Sequence, residues 1–210
     1  MIPRLLLSAA AACLYAEFVG YWLHVLLHSE KIPFLSRNHM IHHLVVYAPD
    51  KPQRPSRNYL DSTYGRASLL GIGLEWLLPV ALILGATTAV LTRLGVGAPE
   101  QAVFAACALG WGALMFWYMH DAMHLQGFWM EGSLAWKRWF LDARRRHDVH
   151  HMDLSDAGRM NKNYGICFFG FDRLFGSFQD QHVRFNHPGH EAAKRRYAGV
   201  LAGVLPDGGR

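Results

Sequence analysis

Histidine carries the chemistry of this chain: 13 of its 210 residues are histidines. Ten of them follow a repeated spacing. His39, His42 and His43 form an HxxHH box, as do His147, His150 and His151, while His24 with His28 and His120 with His124 form HxxxH pairs. Each helical residue turns by about 100°, so positions i, i+3 and i+4 fall within one arc and their side chains lean toward one point. Imidazole is the commonest metal-binding side chain, which makes this spacing a ligand geometry. A structural zinc is satisfied by four ligands; ten histidines suit two metals with about five each. All-nitrogen ligation excludes calcium and magnesium and leaves iron, zinc, copper and manganese. Asp121, Asp148, Asp153 and Asp156 lie beside the boxes. A carboxylate there can hold a histidine tautomer through the second ring nitrogen, although a surface or capping role accounts for each as well.

The elements that must position these boxes are hydrophobic. Residues 5–27 and 69–91 each carry one acid (Glu17 and Glu75) and no base, and residues 101–119 carry no charge. Each run is long enough to cross a bilayer as a helix. The first run lacks the basic start and small-residue cleavage site of a signal peptide, and it leads into His24 and His28, so it reads as a mature helix. Lysine and arginine gather in residues 29–67 and after residue 119, with only Arg4 and Arg93 on the other side. By the positive-inside rule both basic regions face the cytoplasm. The fold class expected is all-α: a membrane helical bundle of about three transmembrane helices, with interfacial helices carrying a histidine-rich dimetal site, in a single domain spanning 1–210.

All four histidine groups then meet at the cytoplasmic ends of the spans. Glu17, Tyr21, His24 and His28 share one helical face, and Glu17 reads either as a hydrogen bond to a neighbouring helix or as a partner of a ligand histidine. Asn38–Val46 is predicted as a short helix, followed by a proline-rich loop through Pro49, Pro52 and Pro55. Pro79 is expected to kink the second span, and Glu75 to sit at its interfacial end. Trp129, Trp136, Trp139 and Phe140 read as interface anchors, with Arg144, Arg145 and Arg146 holding the following helix at headgroup level. The aromatic, glycine-punctuated residues 161–178 are expected to pack against the histidines. The last thirty residues read as mostly exposed, with His182, His187 and His190 solvated. Cys13, Cys107 and Cys167 form no disulfide framework. The net charge of +5 is accounted for by topology and lipid headgroups, and no nucleic-acid motif is present.

Two HxxxH and two HxxHH boxes at the ends of membrane helices resemble the fatty acid hydroxylase superfamily, which includes sterol desaturases, sphingolipid fatty acid hydroxylases and carotenoid hydroxylases. The resemblance covers about residues 15–180. It extends to Asn163-Tyr164-Gly165 and to Asp172-Arg173-Leu174-Phe175-Gly176, where Phe171 stands in place of the usual tryptophan. It implies two iron ions, with zinc possible in preparations, that activate O2 with two electrons to hydroxylate or desaturate a lipid. It carries His24, His28, His39, His42, His43, His120, His124, His147, His150 and His151 over as metal ligands. No flavin or haem motif is visible, so an electron donor is expected: a cytochrome b5 or ferredoxin with its reductase, docked by charge on the basic face. The expected location is a bacterial inner membrane or the endoplasmic reticulum, with the site on the cytoplasmic side. Three other readings remain: a haem-binding electron carrier needs only two to four of these histidines, a metal transporter calls for ligands along the spans, and a zinc hydrolase calls for a catalytic acid within a box.

Overall fold

The computed structural model describes residues 2–69 and 72–204. Three helices are long and apolar enough to cross a membrane: Ile2–Leu27, Leu74–Arg93 and Ala98–Met123. The first is α1 (Ile2–Leu27). The second opens as a 3-10 turn (Leu74–Trp76) and continues as α3 (Leu77–Arg93). The third runs from α4 (Ala98–Gly112) through a π-helical segment (Ala113–Met119) into α5 (His120–Met123). Between the first two spans lie α2 (Pro33–Ile41), which continues as a second π-helical segment (His42–Val46), and a short antiparallel ladder of β1 (Ser68–Leu69) and β2 (Ile72–Gly73). After the third span come α6 (Lys137–Met152), α7 (Gly170–Phe175) and α8 (His187–Arg196). Apart from that ladder, the regular elements among the described residues are helical, as expected.

Several boundaries move for local reasons. The second span starts at Leu74 rather than residue 69, because Ser68–Leu69 pairs with Ile72–Gly73; residues 70 and 71 lie outside the described chain. Pro79 falls in the first turn of α3, where a missing N–H breaks no helical bond, and a 3-10 turn precedes it. The first box rides on a helix that begins at Pro33, not Asn38, since proline at the first helical position is preorganised for the turn.

Among the described residues of the C-terminal segment, His182 and His187 are exposed as expected, but one face of it is packed. Asn186 caps α8 by accepting from the Gly189 N–H at 3.0 Å. The helix then delivers Ala193, Tyr197, Val200 and Leu201 into a core with Met40, Ile41 and Leu44 of the first box. His190 is buried there as well, not solvated. A second core joins Met115, Met119 and Met123 to Phe140, Ala143, Ile166 and Phe169. Phe140 is therefore a core residue and not a membrane anchor, whereas Trp129 and Trp136 remain half-exposed.

Arg144 departs from its expected place too. Its guanidinium is buried, lies 4.4 Å from the Phe140 ring centre, and donates to Glu131 and to the carbonyls of Ala122 and Leu125. A buried cation needs such partners to offset lost hydration, so Arg144 ties α6 to the end of the third span. Arg145 and Arg146 pair with Asp142 and Asp180. Within the membrane half, Glu17 accepts from Trp111 Nε1 at 2.7 Å, which is the interhelical hydrogen bond between α1 and α4.

Candidate metal centre

The ends of α1, α2, α5 and α6 converge, and nine of the ten box histidines gather in two groups. His24, His28, His39, His43 and His150 form the first, and His42, His124, His147 and His151 the second; within each group the candidate ligand atoms lie within 4.8 Å of one another. Each HxxHH box is divided between the groups. The three histidines of a box therefore do not lean toward one point as the spacing predicts: the i, i+4 members (His39 with His43, His147 with His151) stay together, while His42 and His150 turn to the other group. The π-helical segment begins at His42, where the wider i→i+5 turn closes with Tyr47 N–H donating to the His42 carbonyl at 2.9 Å.

His120 stands apart from both groups. Its ring centre lies 4.7 Å from that of His42 and 5.0 Å from that of His147, yet its ligand atoms join neither cluster. It faces a cavity instead.

The ring nitrogens show what the groups can hold. Nδ1 of His24 donates to the Tyr164 carbonyl at 2.6 Å, and Nδ1 of His150 to the Lys162 carbonyl at 2.6 Å. Nδ1 of His124 donates to the Gln53 carbonyl at 3.0 Å, and Nδ1 of His151 to the Tyr47 carbonyl at 3.2 Å. A carbonyl only accepts, so these rings carry their proton on Nδ1 and present a bare lone pair at Nε2. The Nε2 atoms of His150, His151 and His124 face other imidazoles, 3.2 Å from His28, 3.2 Å from His42 and 3.0 Å from His147; His28 and His39 also meet Nε2 to Nε2 at 3.0 Å, and His24 Nε2 is buried with no partner among the described residues. Lone pairs at such separations repel unless a cation binds them. Metal–nitrogen bonds of about 2.0–2.1 Å give ligand–ligand edges of roughly 3.0 Å at right angles and 3.4 Å in a tetrahedron. The observed separations fit that range, so the donor set fits a metal pair.

Electrostatics points the same way. Burial first, and then the neighbouring imidazoles, hold His28, His39, His42, His43, His124, His147, His150 and His151 well below the usual histidine range. Neutral imidazole is the ligand form.

The braces are backbone carbonyls rather than the neighbouring acids. Asp148 forms a bidentate pair with Arg54 at 2.7 and 3.0 Å, fixing the loop whose carbonyls hold the second group. Asp121 only approaches His120, at 3.5 Å. The loop after Val46 adds Tyr59, whose hydroxyl lies 3.1 Å from His42 Nδ1. The first group leans on residues 162–164. Asn163 adopts a left-handed backbone (φ 55), which asparagine tolerates, and its side chain bonds the Arg146 and Gln179 carbonyls and the Gln179 N–H. Asp172, buried and with its carboxyl raised above the usual range by burial, accepts from the N–H groups of Tyr164 and Gly165 and from Ser177 Oγ. A Cβ at Gly165 would meet the Phe168 carbonyl and Asp172, so only glycine fits. No spacing marks Tyr59 or these carbonyls; Asn163-Tyr164-Gly165 and Asp172 could be found only through the family motif.

An apolar cavity of about 490 Å³ opens onto the centre between α1, α3 and α4. Tyr15, Val19, Leu23, Ile83, Leu84 and Leu109 are among its walls, and His24, His39 and His120 stand at its end. Three membrane-length helices, buried histidine clusters at one end and a hydrophobic chamber leading to them are the parts of a membrane protein with a candidate metal centre. The fatty acid hydroxylase family model matches residues 9–177, and the chain belongs to that family of oxidoreductases. No curated protein and no solved structure matches it.

Proposed function

We propose that this protein is a membrane-bound, O2-dependent oxygenase that hydroxylates or desaturates a lipid at a C–H bond near the cytoplasmic face. The observation that carries this reading is the apolar cavity ending on His24, His39 and His120 beside the first histidine group. A water-soluble substrate has no use for such walls, whereas a hydrocarbon tail enters them with the favourable transfer of apolar surface. From Tyr15 to His24 the α1 wall rises about 14 Å, the length of roughly eleven carbons of extended chain.

When bound, the two metal ions, iron by family resemblance, supply O2 activation and two-electron C–H oxidation: RH + O2 + two electrons + two protons gives ROH + H2O. The ten box histidines are proposed as their ligands, with His120 the least engaged. The chain's own residues hold the ligands in one tautomer through the Tyr164, Lys162, Gln53 and Tyr47 carbonyls, keep the reacting carbon beside the centre, and exclude water through the apolar walls. The electrons come from an acidic carrier of cytochrome b5 or ferredoxin type, drawn to the basic face. The excess of lysine and arginine on the loops that hold the boxes supports a cytoplasmic site.

Elemental analysis of the purified protein should find close to two metal ions per chain, and lipid profiling of cells with and without it should show one lipid class gaining an oxygen or losing two hydrogens. His150→Ala should remove the metal of the first group, and activity with it, while membrane insertion persists. Full activity in that variant would sink the site assignment.

A further inference from the structure

After the third span the chain turns back along the membrane helices, and the contacts of residues 164–177 mark how far down it reaches. The Tyr164 carbonyl accepts from His24 Nδ1 at 2.6 Å, level with the histidines. The Phe168 ring centre then lies 5.8 Å from that of Trp111, and the Phe171 ring centre 5.5 Å from that of Phe18. Phe175 lies 5.1 Å from Trp22, ring centre to ring centre, and Ser177 Oγ is 3.0 Å from the Tyr21 hydroxyl. Helical rise puts Trp111 roughly 12 Å below His120, Phe18 roughly 9 Å below His24, and Trp22 only about 3 Å below it. The segment therefore descends to Phe168 and climbs back beside α1 as α7.

Those depths fall within the hydrocarbon. The second span runs from Leu74 to Arg93, and a core of about 30 Å takes about 20 helical residues. Gly73 and Trp76, on either side of Leu74, line a small cavity together with His39 and His120. The bilayer core thus reaches the histidine level, and the Phe168 turn lies beneath it.

The outward side chains suit lipid. Phe168 is 44% exposed, Leu174 69% and Phe175 42%, next to the exposed Phe18 and Trp22 of α1. A contiguous exposed apolar patch marks an interaction site. Polar groups of the element are answered from within it: Asp172 accepts from the Tyr164 and Gly165 N–H groups and from Ser177 Oγ, as burial in hydrocarbon requires. The Arg173 guanidinium lies 3.6 Å from the Phe178 ring centre, so its charge reaches past the climbing end of α7.

We propose that residues 165–176 form a re-entrant element seated in the lipid leaflet on the histidine side, with Phe168, Leu174 and Phe175 against acyl chains. Ile166 of this element also lines the apolar cavity, so part of that wall is supplied by a lipid-embedded loop. The carbonyl that holds His24 in its tautomer is carried at the start of the same loop.

The purified protein in nanodiscs, one chain per disc with both faces open to solvent, tests this with a charged, membrane-impermeant maleimide. The native thiols set the background: Cys13 and Cys107 lie in the spans, and Cys167 is buried. His182→Cys, at an exposed position, should react freely. Phe168→Cys and Leu174→Cys should react at least about tenfold more slowly, because hydrocarbon excludes the reagent and disfavours the thiolate that attacks it. Unfolding in denaturant should bring all three to one rate. Leu174 is the sharper position, since the protein itself leaves it 69% exposed and only lipid can shield it. Leu174→Cys reacting as fast as His182→Cys, in a chain that keeps its melting temperature, overturns the proposal. That outcome covers a face shielded by a second copy, which a disc holding one chain lacks. Fast reaction at Phe168→Cys overturns it too, by placing the turn in water.

Discussion

The two histidine groups are built from the same residue type but supported differently. The first takes His24 and His28 from a membrane helix and is braced by residues 162–164, whose geometry depends on Asn163 in a left-handed turn and on the buried Asp172 carboxylate. The second has no ligand candidate from α1 and is braced by the loop after the first box, through the carbonyls of Tyr47 and Gln53 and the hydroxyl of Tyr59. One group is thus tied to the chain's C-terminal half and the other to its N-terminal loop. The difference teaches that the two candidate metal positions can be perturbed separately, even though each HxxHH box contributes to both.

Acid should affect both groups at once and gives the largest effect. These histidines have folded-state values well below 6.5, while in the unfolded chain they return to about 6.5. Below that pH the unfolded chain binds more protons, so stability falls as pH drops and is fully present above it. Each such histidine contributes up to about 1.4 kcal/mol per pH unit. A titration from pH 8 to pH 5 should therefore lower the melting temperature steeply and release both metals. Metal retained at the acid end would contradict the neutral-ligand arrangement.

Separating the groups is the next test. His147→Ala should reduce the metal content from about two to about one per chain, with the remaining ion in the first group, and His150→Ala should leave the ion in the second. Elemental analysis paired with X-ray absorption of each variant reads this directly. Loss of both ions from either variant would mean that the groups load as one unit.

The smallest effect concerns a brace. Tyr59→Phe removes the hydroxyl beside His42 Nδ1 and should weaken metal binding at the second group by about 10–100-fold, the usual cost of losing an outer-shell partner. The first group should hold its ion unchanged in competition with a chelator.

Much of this was legible in the chain before any coordinates. The boxes, the three spans and the packing of residues 161–178 against the histidines follow from periodicity, charge and a family motif. What was not legible shares a physical cause: it lies in backbone carbonyls and in contacts distant in sequence. The carbonyls of Gln53 and Tyr47 have no side-chain signature. The division of each box between groups depends on how α2 and α6 face each other, which helical spacing alone does not specify. Arg144 looked like a headgroup cation because its partners, the carbonyls of Ala122 and Leu125 with Glu131, are visible only after folding. The tail around Tyr197 looked exposed because α8 is short and charged, and only its docking on Met40 and Ile41 shows a buried face.

That docking has a consequence for the order in which the protein is made. The Tyr197 hydroxyl donates to the His28 carbonyl at 2.7 Å, so a histidine at the end of the first span is buttressed by a residue synthesised 169 positions later. The first span can enter the bilayer long before that contact exists. Until α8 has been made and docked, His28 lacks that buttress, so the end of the first span reaches its final packing only after a distant part of the chain has folded.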